Sequence, residues 1–361
     1  MFTRKKGERR IKRTGRCFPV ATTHTSALLI YAAKMRNYSN TFQFYAQENS
    51  ISLKNAQITA SFKIIFVISH FTLNIISNML RIAVQSKGRL YEDTMALLAE
   101  ADIKVRKSER SLLVRANDFP IEILYLRDDD IPQTVAQGVA DLGIVGENEL
   151  LERGEKVDVV KRLGFSRCRL SLAIPKGKEY NGPQWFEGKT IATSYPNILR
   201  QYLEEQGVKA DIHVITGSVE IAPGIDLADA IFDIVSSGST LITNNLKEVE
   251  TVVQSEALLI ATPQLDEEKR ATLEELLFRL EAVKEAEHKK YVMMNVPVDR
   301  VDDILAVLPG IKSPTVMPLA DKQWCSIHTV LERKRFWEII GQLKDNGAQG
   351  ILVLPIEKMV L

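Results

Sequence analysis

Asp229-Ala230-Ile231-Phe232-Asp233-Ile234-Val235-Ser236-Ser237-Gly238-Ser239-Thr240-Leu241 is the stretch around which the chain organises itself. An apolar, β-rich run bearing two carboxylates leads into a small hydroxyl-rich turn, Ser236 to Thr240, and a helical pattern restarts at Leu241. A glycine–serine turn placed where a strand gives way to a helix offers backbone N–H groups and hydroxyls to a phosphate at the positive end of the helix dipole. Asp229 and Asp233 suit the vicinal hydroxyls of a ribose. The alternative is a plain strand–turn–helix joint in which Ser239 merely caps the helix. The acidic pair before the turn favours a phosphoribosyl group over that alternative.

Outward from this stretch, the same alternation recurs. Leu80 to Val84, Ile121 to Leu126, Leu142 to Val145, Leu170 to Ile174, Thr190 to Thr193 and Ile212 to Ile215 read as strands, with helices at Tyr91 to Ala101 and Asn197 to Gln206. Strands alternating with helices imply an α/β architecture with parallel pairing, and ligands in such sheets bind beyond the carboxyl ends of strands. Asp266 to Lys289 is the longest helical pattern, with Leu273, Leu276, Leu277, Leu280 and Val283 on one stripe, and is expected to be a connector. Beyond it the order is strand (291–295), helix (301–308), strand (315–318), strand (324–330), helix (336–346), strand (350–354), the ferredoxin-like βαββαβ plan.

Composition narrows the function classes. Residues 1–78 hold 12 Lys and Arg against only Glu8 and Glu48, which leaves 35 basic and 44 acidic residues from 79 onward, a net of −9. So acidic a body is a poor partner for nucleic acid, and an anionic ligand needs a local site. Cys17, Cys168 and Cys325 are odd in number and far apart, which argues against a disulfide framework and fits a reducing cytosol. Residues 62–76 are apolar but broken by Lys63, short of the roughly 20 residues that a spanning helix needs. A transit peptide and a misassigned start compete for residues 1–78, and the strand-like Leu80-Arg81-Ile82-Ala83-Val84 directly after Met79 favours the latter. The expectation is an enzyme formed by residues 79–361 in the cytoplasm, with no membrane and no nucleic acid as partner.

The Asp229–Leu241 segment resembles the phosphoribosyl-pyrophosphate loop of the ATP phosphoribosyltransferases, and the similarity runs along nearly all of residues 80–361. It is carried also by Gln85-Ser-Lys-Gly-Arg-Leu90, Arg127-Asp-Asp-Asp-Ile-Pro132, Asp141-Leu-Gly-Ile-Val-Gly-Glu-Asn148, Cys168-Arg-Leu-Ser171, Ala192-Thr-Ser-Tyr-Pro196 and Gly217-Ser-Val-Glu-Ile-Ala-Pro223. The resemblance implies two periplasmic-binding-protein-like α/β domains with the active site in the cleft, one of residues 79–168 with 252–287 and one of 169–251. A regulatory domain of residues 288–361 follows, of the long, histidine-regulated type. It also implies Mg2+, held mainly by substrate phosphates, ATP and phosphoribosyl pyrophosphate as substrates, histidine as inhibitor, and a homo-oligomer of dimers closing into hexamers.

Site residues follow. Lys87, Gly88 and Arg89, after the first strand, meet pyrophosphate or ATP phosphates, or else form a solvated turn. Asp229 and Asp233 hold the ribose, and Ser236, Ser237, Gly238, Ser239 and Thr240 the 5-phosphate. One of Asp128 to Asp130 is expected to cap a helix whose first turn holds Pro132. Gly143 and Gly146 make a tight strand exit, and Glu147 after it is a candidate substrate contact. Arg169 and Tyr195 face the cleft in the family pattern. His213 and His328 lie in apolar strand patterns and read as packed or surface residues. For the effector, the resemblance points to Asn295, Ile311, Ser313, Thr315 and Gly350. Two other classes compete: a non-catalytic ligand sensor of the same folds, and a nucleotide-salvage phosphoribosyltransferase, whose single domain leaves residues 290–361 unexplained.

Overall fold

The computed structural model describes residues 79–106, 111–308 and 314–361, so the expectations for residues 1–78 lie outside the described residues. The first sheet is built around β1 (Leu80–Gln85), which pairs in parallel with β3 (Ile121–Leu126) on one side and β4 (Leu142–Gly146) on the other. Antiparallel strands finish it: β2 (Leu113–Arg115) beside β3, β11 (Ala257–Ala261) beside β4, and β5 (Asp158–Arg162) beside β11. Leu80, Ile82, Ala83 and Val84 are all fully buried, the near-continuous burial expected of strands covered on both faces. Helices α1 (Arg89–Glu100) and α6 (Glu267–Glu287) cover one face through Leu98, Leu273, Leu276, Leu280 and Val283. Helix α2 (Ile131–Ala136) covers the other through Ile131 and Val135. The expected connector helix is therefore part of this core. Truncating a fully buried Ile82 or Ile123 to alanine would cost about 2–5 kcal/mol.

The second sheet has the order β10-β6-β9-β7-β8, formed by β6 (Cys168–Pro175), β7 (Thr190–Thr193), β8 (Asp211–Val214), β9 (Ala230–Val235) and β10 (Leu246–Ser255). Strands β9, β7 and β8 are parallel, and β6 runs antiparallel to β9 with Arg169 opposite Val235 and Ser171 opposite Asp233. The start of β6 therefore lies beside the end of β9, where the Ser236–Thr240 turn begins. Helix α4 (Pro196–Gln206) packs on one face through Ile198, Leu199 and Leu203. The turn Val219–Ile225 and the short α5 (Ser239–Thr243) pack on the other. The return to the first domain falls later than the expected residue 252, because β10 stays paired with β6 through Ser255 opposite Cys168. Backbone pairing there is indifferent to the polar side chains of Gln254 and Ser255, so no apolar pattern marks it. Both sheets together are the two α/β domains of the periplasmic-binding-protein type.

The third sheet, β13-β14-β12-β15, is wholly antiparallel, with β12 (Lys289–Pro297), β13 (Thr315–Pro318), β14 (Trp324–Glu332) and β15 (Gln349–Pro355). Val292, Met294 and Val296 alternate inward against Ile304 of α7 (Val301–Val307) and Phe336, Ile339 and Leu343 of α8 (Arg333–Asp345). Tyr291, Met293 and Asn295 take the outer face. This is the expected ferredoxin-like domain. Its tail returns to the first domain, where Lys358 Nζ lies 2.8 Å from Asp102 Oδ2 and Met359 N–H donates to the Ala282 carbonyl at 2.8 Å.

Candidate active site

The turn after β9 is built by its glycine. Gly238 sits at φ 79°, ψ 0°, a left-handed conformation that costs glycine little and other residues more, and it occupies the N-cap position of α5. No side chain caps this helix. Ser239 is its first residue rather than its cap. The first-turn N–H groups of a helix have no intrahelical partner, and four hydroxyls, Ser236, Ser237, Ser239 and Thr240, stand exposed around them. Ser237 Oγ lies 3.0 Å from Ser239 Oγ.

Two arginines reach the turn from different domains. Arg169, on β6, donates Nη1 to the Ser236 carbonyl at 3.1 Å. Arg89, the first residue of α1 in the other domain, donates Nη1 to Ser236 Oγ at 3.3 Å across the cleft. Lys87, Gly88 and Arg89 are exposed just beyond the carboxyl end of β1, and Gly88 takes φ 95° to turn the chain into α1. Cationic side chains, first-turn N–H groups and hydroxyls thus converge on one spot, the donor set that an anion with several oxygens requires.

Asp233 lies on β9 three residues before Ser236, whereas Asp229 comes seven before it. Asp229 precedes β9 and its carboxylate accepts the Thr190 N–H at 2.9 Å. Seven residues of extended chain separate it from Ser236, about 23 Å at the strand rise. The carboxylate whose charge is felt at Asp233 is that of Glu220, from the turn Val219–Ile225 that packs on the same face of the sheet. Burial pushes the Asp233 carboxyl up to about 6, with repulsion from Glu220 adding to it and the Ile234 N–H opposing it. Glu220 lies within the Gly217–Pro223 stretch, but only the fold sets it beside Asp233.

A buried network joins the domains at the bottom of the cleft. Tyr195 OH donates to Glu149 Oε1 at 2.9 Å and accepts from Asn148 Nδ2 at 3.1 Å, and Asn148 Oδ1 accepts from Ser255 Oγ at 2.8 Å. Burial raises the Glu149 carboxyl and, together with Glu149 itself, the Tyr195 hydroxyl. Tyr195 is 6% exposed, so it serves as a joint between domains and its hydroxyl is already committed. Helix α3 (Glu147–Arg153) adds a second link, for the Glu152 carboxylate accepts the Asn197 and Ile198 N–H groups at 3.0 and 3.1 Å and caps α4 from the other domain. The Glu147 carboxylate is forked onto Arg162 of β5. None of Asp128 to Asp130 caps α2 with its side chain, because the turn they form runs straight into the helix with Asp130 already at φ −90°, ψ −17°. Asp129 pairs instead with Arg127 and Arg153, at 3.2 and 3.3 Å.

Among the described residues no three His, Cys, Asp or Glu side chains gather into a metal cluster, and no helix is long and apolar enough to cross a membrane. Residues 127–282 match the family described as ATP phosphoribosyltransferase, and residues 286–358 match its C-terminal domain family. The ATP phosphoribosyltransferase of Bacteroides thetaiotaomicron is 69% identical over 283 residues, 78% of this chain and 100% of that one. The enzymes of that name from Phocaeicola vulgatus and Cytophaga hutchinsonii are 70% and 58% identical, over 100% and 99% of their lengths. The chain belongs to the ATP phosphoribosyltransferase family. It is a pentosyltransferase, and the C-terminal domain places it in the long subfamily. Among solved structures, the ATP phosphoribosyl transferase (HisG:HisZ) complex from Thermotoga maritima is 32% identical with a TM-score of 0.50, covering 56% of this chain and 96% of that one.

Of the expected effector positions in this ATP phosphoribosyltransferase, Ile311 and Ser313 lie outside the described residues. Asn295 and Thr315 share the outer face of the third sheet, through Ser326 opposite Asn295 and His328 opposite Thr315. Gly350 has φ 56°, and a Cβ built on it would lie 3.5 Å from Asn295 Nδ2. His328 bridges Tyr291 OH at 2.7 Å and Ser326 Oγ at 3.0 Å on that face. His213 is half-buried in β8, as a packed or surface histidine would be.

Proposed function

We propose that this enzyme transfers the 5-phosphoribosyl group of phosphoribosyl pyrophosphate to N1 of the adenine of ATP, releasing pyrophosphate, as the first step of histidine biosynthesis in the cytoplasm. The observation that carries the proposal is the convergence of Arg89 and Arg169, from two domains, on the Ser236–Thr240 turn beside Asp233. Family membership supplies the two substrates. The turn holds the 5-phosphate with its N–H groups and hydroxyls, and Asp233 accepts hydrogen bonds from the ribose. Lys87, Gly88 and Arg89 meet the pyrophosphate and the ATP phosphates. The anomeric carbon becomes oxocarbenium-like as pyrophosphate leaves, so no enzyme nucleophile is needed and rate comes from orienting the substrates and stabilising departing charge.

Mg2+ dehydrates reluctantly and usually keeps waters and substrate oxygens in its shell, so it would be held mainly by the substrate phosphates rather than by a protein cage. Bound to them, it would neutralise charge on the departing pyrophosphate. Histidine is the proposed inhibitor, held near Asn295, Thr315 and Gly350, and the exposed Met317, Leu352 and Leu354 of the third sheet support assembly through this domain into dimers and hexamers. Incubation with ATP, phosphoribosyl pyrophosphate and Mg2+ tests the central claim: phosphoribosyl-ATP and pyrophosphate are expected in equal amounts, and the absence of phosphoribosyl-ATP defeats it.

A further inference from the structure

The guanidinium of Arg169 is held by a carboxylate that no sequence motif marks. Glu248, on β10, accepts from Arg169 Nε and Nη2, both at 2.5 Å. Such a fork fixes the plane of the guanidinium as well as its position. Glu248 Oε1 also accepts from Ser171 Oγ at 2.7 Å and from Thr251 Oγ1 at 3.1 Å, so the carboxylate is itself fixed. The Arg169 and Glu248 side chains are 29% and 25% exposed, and the arginine holds the carboxyl down to about 2, ionised throughout any assay range. Two nitrogens of Arg169 being engaged, Nη1 is the one that reaches the Ser236 carbonyl.

The peptide plane makes that last contact consequential. The carbonyl of Ser236 and the N–H of Ser237 lie on opposite sides of one rigid trans unit, so pinning the carbonyl toward Arg169 turns the N–H away from it. We infer that Glu248 is a positioning residue for the phosphate turn, fixing Arg169 so that Arg169 fixes the Ser236 peptide and the direction of the N–H groups that follow it. A β-bulge in β10 serves this arrangement. The extra residue Val249 between Glu248 and Glu250 puts Glu248 and Thr251, three apart, on the same face as Ser171.

The inference rests on the proposal that this turn holds the 5-phosphate of phosphoribosyl pyrophosphate. Glu248→Gln is expected to raise KM for that substrate about tenfold, as the loss of a charge-assisted pair would, with KM for ATP and the unfolding midpoint unchanged. Glu248→Asp, which keeps the charge, is expected to recover part of the loss and carries the test if the Gln variant does not fold. An unchanged KM for phosphoribosyl pyrophosphate overturns the inference, as does an equal loss for both substrates with a lowered midpoint, which marks a merely structural ion pair. Thr240→Val separates the two claims. A normal KM in Thr240→Val removes the phosphate-turn proposal itself, whereas a raised KM there beside a normal one in Glu248→Gln removes only the role of Glu248.

Discussion

Replacing Asp233 by asparagine should weaken catalysis and strengthen the fold, and the size of the second effect follows from the environment of the carboxyl. An aspartate ordinarily titrates near 3.8, whereas burial carries Asp233 to about 6. The gap of about two pH units corresponds to roughly 3 kcal/mol by which the folded state disfavours the ionised form. The unfolded chain ionises first, so stability falls as pH rises from about 4 to about 6 and then stays at its reduced level. Asparagine keeps the shape and carries no charge. The variant should therefore match the parent in unfolding free energy near pH 4 and exceed it by roughly 3 kcal/mol at pH 8. Its turnover should drop about tenfold to a hundredfold, through loss of a charge-assisted hydrogen bond to the ribose. In the parent, kcat/KM for phosphoribosyl pyrophosphate should rise through pH 6 as Asp233 ionises. Urea unfolding at pH 4, 6 and 8, with steady-state kinetics on the same samples, checks all three. A stability difference independent of pH, or no difference at pH 8, refutes the burial argument; wild-type kinetics refute the ribose contact.

Gly238→Ala forces a Cβ into the left-handed region at φ 79° and should cost about 1 kcal/mol of stability while raising KM for phosphoribosyl pyrophosphate more than KM for ATP, as initial-rate kinetics would show. Glu152→Ala removes the cap that α3 places on α4 across the domain boundary and should destabilise the protein by about 1–2 kcal/mol in urea unfolding. Histidine at millimolar concentration should inhibit the parent and inhibit Thr315→Val less, the coupling being about 1–3 kcal/mol; equal inhibition of both would move the effector elsewhere.

How much of the site could be seen in advance depended on whether its partners were neighbours in sequence or in space. Lys87, Gly88 and Arg89 and the Ser236–Thr240 turn each follow a strand directly, and the carboxyl edge of a parallel sheet collects ligands whatever the remainder of the chain does. The ferredoxin-like order was equally legible, since β12 alternates cleanly, with Val292, Met294 and Val296 facing the two helices, and the helical patterns separate the remaining strands. Asp229 failed for a local reason: four residues of strand carry it about 13 Å from Asp233, so two carboxylates on one apolar run cannot serve one ribose. The acid that does stand near Asp233 comes from the turn at Glu220, and only packing of that turn on the second sheet brings the two together. Glu248 was hidden more deeply. Strict alternation along β10 would send Glu248 and Thr251 to opposite faces, and only the inserted Val249 sets both beside Ser171 and Arg169. A comparable irregularity lies on β15, where the three steps from Gln349 to Leu352 oppose the two from Asn295 to Met293 on β12, next to Gly350 in its left-handed conformation. In both places the period-two rule is broken where a side chain must be re-aimed, so the positions least readable from alternation are those that hold the proposed phosphate turn and the proposed effector site.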